Sequence, residues 1–155
     1  MAAKQANPSQ TNLIVIALVG LFAIAAVFLT RPDTASQTLS PVSGLMALKA
    51  SARAAMPLEL ALTDPKPTLI EFYADWCTTC QSIAPTLQDI HDRVGGQMNF
   101  VMLDIDDPQW RQQVNQFEVN GVPHLALLDS NHTLVDRFVG RVPRQILLSR
   151  IADLL

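Results

Sequence analysis

The sequence has little of what would fix its class at a glance. It holds two cysteines in 155 residues, both inside one short motif, so a fold stapled by several disulfides is excluded. Three histidines, His91, His124 and His132, are scattered, and no second Cys-x-x-Cys accompanies the first. A zinc site would need ligands that the chain does not supply at short spacing. Charged residues make up 16% of the chain and the net charge is −3, so there is no basic surplus and nucleic acid is not expected as a partner. No internal repeat is visible.

The apolar fraction is high, at 49%, and one segment accounts for it. After a short polar start (residues 1–12), Leu13 to Leu29 contains no polar side chain. At roughly 1.5 Å per residue this run spans about 25 Å, the short end of the range for a transmembrane helix. A cleaved signal peptide is the competing reading, because Ala23-Ile24-Ala25 resembles a cleavage site. That triplet lies inside the run, with Val27-Phe28-Leu29 still to come, and an uncleaved anchor over residues 13–30 is favoured. Lys4 lies on one side, Arg31 close on the other, and charge leaves the orientation open.

Residues 31–56 read as a linker. Arg31 to Gly44 is rich in Ser, Thr and Pro and suits an extended tether. Leu45 to Met56 is Ala-rich and weakly patterned, open between a helix and a first strand. From residue 57 to 155 the pattern becomes that of one α/β domain. Pro57 opens a short helix over Leu58 to Leu62. Thr68 to Ala74 is apolar at nearly every position, as in a central strand covered on both faces, with Glu71 the exception. Ile83, Leu87, Ile90 and Val94 follow helical spacing, Pro85 should kink that helix, and Gly95-Gly96 stops it. Phe100 to Ile105 is a second strand. Asp107-Pro108 caps a helix striped by Trp110, Val114 and Phe117. A strand over His124 to Leu128 turns back into Thr133 to Val139, and Pro143 opens a last helix. The order strand–helix–strand–helix–strand–strand–helix implies a mixed sheet with helices on both faces and a site at strand ends.

Trp76-Cys77-Thr78-Thr79-Cys80 stands at the junction of the first clear strand and its helix. There the first thiol meets free N–H groups and the helix dipole, which favour a thiolate, and the second lies one turn in, within disulfide reach. This is a device for thiol–disulfide exchange, in which Cys77 forms a mixed disulfide and Cys80 resolves it. Metal binding and a purely structural disulfide stand beside it as alternatives. The ring closed by such a disulfide is too short to constrain much unfolded-chain entropy. Asp104, Asp106 and Asp107 resemble a metal cluster, but strand alternation followed by a cap explains them. His91 lies on a helix and reads as solvated.

From Pro57 to Leu155 the chain resembles the thioredoxin family: Trp76-Cys77-x-x-Cys80, Pro85, Val122-Pro123 before a strand, and Gly140 after the hairpin keep its order and spacing. With the anchor, the tether and the phrases Pro67 to Cys77 and Gly121-Val122-Pro123-His124, it is similar to the membrane-anchored thioredoxin-like proteins of cyanobacteria and chloroplast thylakoids. The resemblance implies a thioredoxin fold behind a transmembrane helix, facing the lumen or periplasm. It implies reduction of protein disulfides in support of cytochrome or photosynthetic-complex assembly, with electrons from a membrane thiol carrier. No cofactor or metal beyond the Cys77–Cys80 pair is implied. Cys77 would be the exposed nucleophile and Cys80 the resolving thiol. Trp76 would cover the pair, against the alternative of a core aromatic. Pro123 would be cis, and the Val122 backbone would pair with client peptides. Glu71 would stand where thioredoxins keep a buried acid and serve as proton acceptor for Cys80, or else reach the sheet edge and water. His124 would touch clients or simply begin its strand. Thr78-Thr79 replaces the family's Gly-Pro without adding positive charge, which favours a reductase over a strong oxidant. Met102 replaces a lysine that would pair with the acid. Net oxidation or isomerisation, and a binding or metal-presenting module of a membrane complex, are the alternative functions.

Overall fold

A computed structural model describes residues 41–155. The expected anchor (13–30) lies outside them, as does the tether as far as residue 40. Among the described residues no helix is long and apolar enough to cross a membrane.

The Ala-rich stretch resolves as a helix, α1 (Pro41–Ala54), which starts inside the segment expected to be extended. Its Leu48 is fully buried against α3 (Thr78–Val94). Gly44 allows the two helices to approach, since a Cβ there would stand 3.1 Å from Gln81 Cβ and its carbonyl oxygen. Residues 41–56 are therefore part of the folded unit and not linker, which corrects the boundary expected at residue 57. Weak patterning hid this helix: it offers one large side chain to a shallow seam and no broad apolar stripe. The short α2 (Leu58–Ala61) follows, opened by Pro57.

Four strands form the sheet: β1 (Thr68–Tyr73), β2 (Asn99–Asp104), β3 (His124–Leu128) and β4 (Leu134–Val139), in the order β2-β1-β3-β4. β1 pairs parallel with β2 and antiparallel with β3, and β3 pairs antiparallel with β4. β1 is thus central, which explains why five of its six residues are buried. Between β2 and β3 lie a 3₁₀ turn (Pro108–Trp110) and α4 (Arg111–Gln116), and α5 (Arg144–Ala152) closes the chain.

The side-chain period of two along a strand splits the core into layers. Ile70, Phe72, Val101, Leu103, Ala126 and Leu128 pack with Leu58, Ala61 and Phe117 on one face. Leu69, Leu125 and Leu127 pack with Ile83, Leu87 and Ile90 of α3 and with Leu147 and Ile151 of α5 on the other. Glu71 belongs to this second face, by its register between Met102 and Leu125. Helix α3 ends at Gly95, whose N–H bonds His91 O at 2.7 Å, and it carries Pro85 within its span.

Candidate functional site: a disulfide between two hollows

Cys77 is the N-cap of α3, with extended backbone (φ −75°, ψ 100°), and its Sγ accepts the Cys80 N–H at 3.0 Å. The same groups would stabilise a thiolate once the pair is reduced. Cys77 and Cys80 are joined as a disulfide, with Cα atoms 5.3 Å apart. Cys77 keeps 5% of its surface and Cys80 none. Of the two residues only Cys77 keeps any surface, and it is nearly buried, not the exposed residue that the resemblance implied. Leu48, Ala74 and Ala84 pack around the pair, with Val122 and Met102 partly buried against it.

The loop before Cys77 is held from α1 and α3. Lys49 Nζ lies 2.6 Å from Asp75 Oδ2, and Gln81 Nε2 donates to Asp75 O at 2.7 Å. Sequence reasoning missed Leu48 and Lys49, because 26 residues separate Lys49 from Asp75 and no local pattern links them.

Trp76 is 63% exposed and stands beside the pair, not in the core. Its indole Nε1 donates to Asp106 Oδ2 at 2.8 Å. Asp106 therefore orients the ring, a role that the cluster of three aspartates gave no hint of. Asp104 accepts the Asp106 N–H and Asp107 caps the 3₁₀ turn, each at 3.0 Å. Trp76, Ile105, Val114, Val119, Gly121 and Val122 line an open hollow of about 490 Å³. The Val122–Pro123 peptide is cis, as the resemblance implied, and Pro123 is buried. Pro123 O accepts the Gly140 N–H at 2.8 Å, and Gly140 takes φ +80°, a conformation that favours glycine. Val122 has neither N–H nor C=O in the ladder or in a turn among the described residues. It presents unpaired main chain at the hollow's rim.

Glu71 lies behind the pair, on the other side. It is 4% exposed and does not reach water at the sheet edge, and its Oε1 has no hydrogen-bond partner among the described residues. Burial pushes its carboxyl up to about 8. Met102, beside it in the register, supplies no offsetting charge. Glu71 points into a small cavity shared with Ser51, Ala84, Gln88, His91 and Met102. His91 is half-buried with its ring 4.6 Å from that of Phe100, so it is not the solvated helix residue expected.

His124 is corrected. Its side chain is 2% exposed and meets the Phe72 ring edge-on at 5.7 Å, so it begins β3 inside the core and does not touch clients. The pairing decides this: His124 lies opposite Phe72 of the central strand, and every residue of β3 is buried. Neither ring nitrogen has a partner among the described residues, and burial, with Arg137 nearby, lowers its pKa.

Comparison with known proteins agrees with this geometry. The family model described as thioredoxin matches residues 56–153. The thiol:disulfide interchange protein TxlA homolog of Synechocystis is 37% identical over 148 residues, 96% of this chain and 78% of that protein. The chloroplastic thioredoxin-like protein HCF164 of Arabidopsis thaliana is 42% identical over 106 residues, 68% of this chain and 41% of its own. The chain thus spans about two fifths of that plant relative. Among solved structures, Fasciola hepatica thioredoxin superposes with a TM-score of 0.55 at 23% identity, over 63% of this chain and 91% of its own. That likeness concerns the fold alone.

Proposed function

Since the chain belongs to the thioredoxin family, we propose that its pair serves mainly to reduce disulfides in other proteins, on the non-cytoplasmic side of a membrane to which residues 13–30 anchor it. Thiol–disulfide exchange itself follows from the family and the Cys77–Cys80 pair. In the reductive direction, the Cys77 thiolate attacks a client disulfide and one client sulfur leaves as a thiolate. Cys80 then displaces the second, so the client gains two electrons and two protons and the pair is oxidised. No added cofactor takes part. Electrons return from a membrane thiol carrier, and the clients belong to cytochrome or photosynthetic-complex assembly.

The observation that carries this reading is a capped, barely accessible Cys77 sulfur beside unpaired Val122 main chain. An extended client segment can add as a strand there, held by backbone bonds that tolerate varied side chains. Thr78 and Thr79 bring no positive charge to the helix start, which supports a reductant over a strong oxidant. The apolar run Leu13–Leu29 supports the anchor.

The test is reduction of insulin by the full chain, with Cys77→Ser as control, and capture of clients by Cys80→Ser. Activity lost with Cys77→Ser, a potential as low as that of reducing thioredoxins, and lumenal or periplasmic proteins trapped on Cys77 are expected. A pair that oxidises reduced clients and cannot be recharged by a dithiol would overturn the reductive direction. Cytoplasmic proteins in the trap would overturn the topology.

A further inference from the structure

Exchange moves protons as well as electrons, and the cavity behind the disulfide bears on where they go. We propose that Ser51 of α1 and Gln88 of α3 form the polar mouth of a water-holding cavity through which the Glu71 carboxyl trades its proton with solvent, so that α1, which precedes the thioredoxin-matched segment, is a working wall of the redox site. The inference rests on reading Cys77–Cys80 as the exchange pair and Glu71 as its proton acceptor.

Four observations carry it. Glu71 Oε1 is buried without a partner among the described residues, a condition that proteins relieve with ordered water. The cavity that it faces measures about 30 Å³ by the space open to a water-sized sphere. One water needs roughly 10–15 Å³ on that measure. The polar groups that line the cavity besides Glu71 are on the helices: Ser51, Gln88 and His91. The sheet contributes Leu69, Phe100 and Val101 with Met102, whose side chains pass no proton. A route from Glu71 therefore leads to the α1–α3 seam. There Ser51 Oγ donates to Gln88 Oε1 at 3.2 Å, and Gln88 Nε2 donates to Asp92 Oδ1 at 2.8 Å on the outer surface. Around the sulfurs themselves, the apolar Leu48, Ala74 and Ala84 offer no polar path out to solvent.

The groups that face Glu71 are few. Tyr73, two residues along the same strand face, has its phenol pushed up to about 12 by burial and by neighbouring acids, Glu71 included. His91 is the ionisable side chain from α3 at the cavity. Lys49 of α1 is turned to Asp75, and the register partners on β2 and β3, Met102 and Leu125, are uncharged.

The proton steps then balance. Cys80 gives its proton to the Glu71 carboxylate and its thiolate attacks Cys77 Sγ. The Cys77–client bond breaks, and the departing client thiolate is protonated by solvent. Glu71 releases the proton it received to the cavity water, which passes it out at Ser51 and Gln88. Ala84 and Met102 touch both the cysteine cluster and the cavity, so the two compartments share a wall.

The experiment loads Cys77 of the full chain with the chromogenic thiol 2-nitro-5-thiobenzoate and follows its release by Cys80 as a function of pH. In parallel, the carbon-13 shift of the Glu71 carboxyl is titrated. Ser51→Leu plugs the mouth from α1, and Gln88→Leu plugs it from α3 should the first variant not fold. The expected result is a Glu71 titration moved upward by a unit or more. Thiol release at pH 8 should be about ten-fold slower in the plugged protein, with no such slowing in a Glu71→Gln background. A folded plugged variant whose Glu71 titrates as in the wild type would overturn the port. Wild-type release from Glu71→Gln alone would instead overturn the proton-acceptor role, and the carboxyl titration would still decide whether the port exists.

Discussion

Two hollows flank the same disulfide, and they are built on opposite plans. The one under Trp76 is open, about 490 Å³, and rimmed by unpaired Val122 main chain, a shape that admits a polypeptide. The one over Glu71 is about 30 Å³, with a single buried carboxyl inside and Ala84 and Met102 shared with the cysteine cluster, a size that suits water. The difference teaches how a small domain can set two kinds of space beside one disulfide, an open one of polypeptide size and a small one holding a buried acid. The two sides also differ in origin. The open hollow is lined by residues from Trp76 to Val122, all inside the thioredoxin-matched segment, whereas the smaller cavity takes Ser51 and Ala55 from before it.

The sharpest way to break that contrast is at Glu71. With its carboxyl at about 8 when folded and near 4.5 when unfolded, the native state holds a proton that the unfolded chain has released at intermediate pH. Stability is therefore full below pH 4.5, falls as pH rises, and levels off above about 8, by up to roughly 4–5 kcal/mol. Glu71→Gln should abolish that slope in urea unfolding compared at pH 5 and pH 9. A slope that survives the substitution would place the titrating group elsewhere.

Leu48→Ala comes next. Leu48 is fully buried against the cysteines, so truncation should cost about 2–5 kcal/mol in the same unfolding experiment. It should also speed alkylation of reduced Cys80. A cost under about 1 kcal/mol would mean that α1 is not sealed onto α3 in solution.

The smallest effect belongs to the open side. Trp76 is mostly exposed, so Trp76→Ala should leave stability within about 0.5 kcal/mol. Loss of an aromatic contact surface at an interface should raise KM for a protein disulfide about ten-fold, or ~1.4 kcal/mol, while kcat changes little. Equal losses in kcat and in stability would make the ring a structural part, not a docking surface.

Much of the fold is legible in the chain because it is written in local signals. Pro57, Gly95, Asp107 and Pro143 mark helix ends where the structure has them, and the largely apolar run Thr68–Tyr73, interrupted by Glu71, marks the central strand. The reactive pair is legible for the same reason, since Cys77 and Cys80 owe their geometry to one helical turn. Helix α1 is only half-legible, open between helix and strand, because what holds it is a seam with α3 and not its own pattern. His124 reads equally well as a contact or a core residue until the pairing with Phe72 fixes its face.

What the sequence determined by itself is therefore the sulfur chemistry and the strand and helix order, both matters of a few neighbouring residues. Tertiary structure alone decided which side of the pair each group serves: the burial of Glu71, the turn of Trp76 toward Asp106, and the roofing of the cavity by α1. Each of these depends on residues tens of positions apart meeting in space, and desolvation, which sets the charge of a carboxyl, exists only once the chain has closed around it.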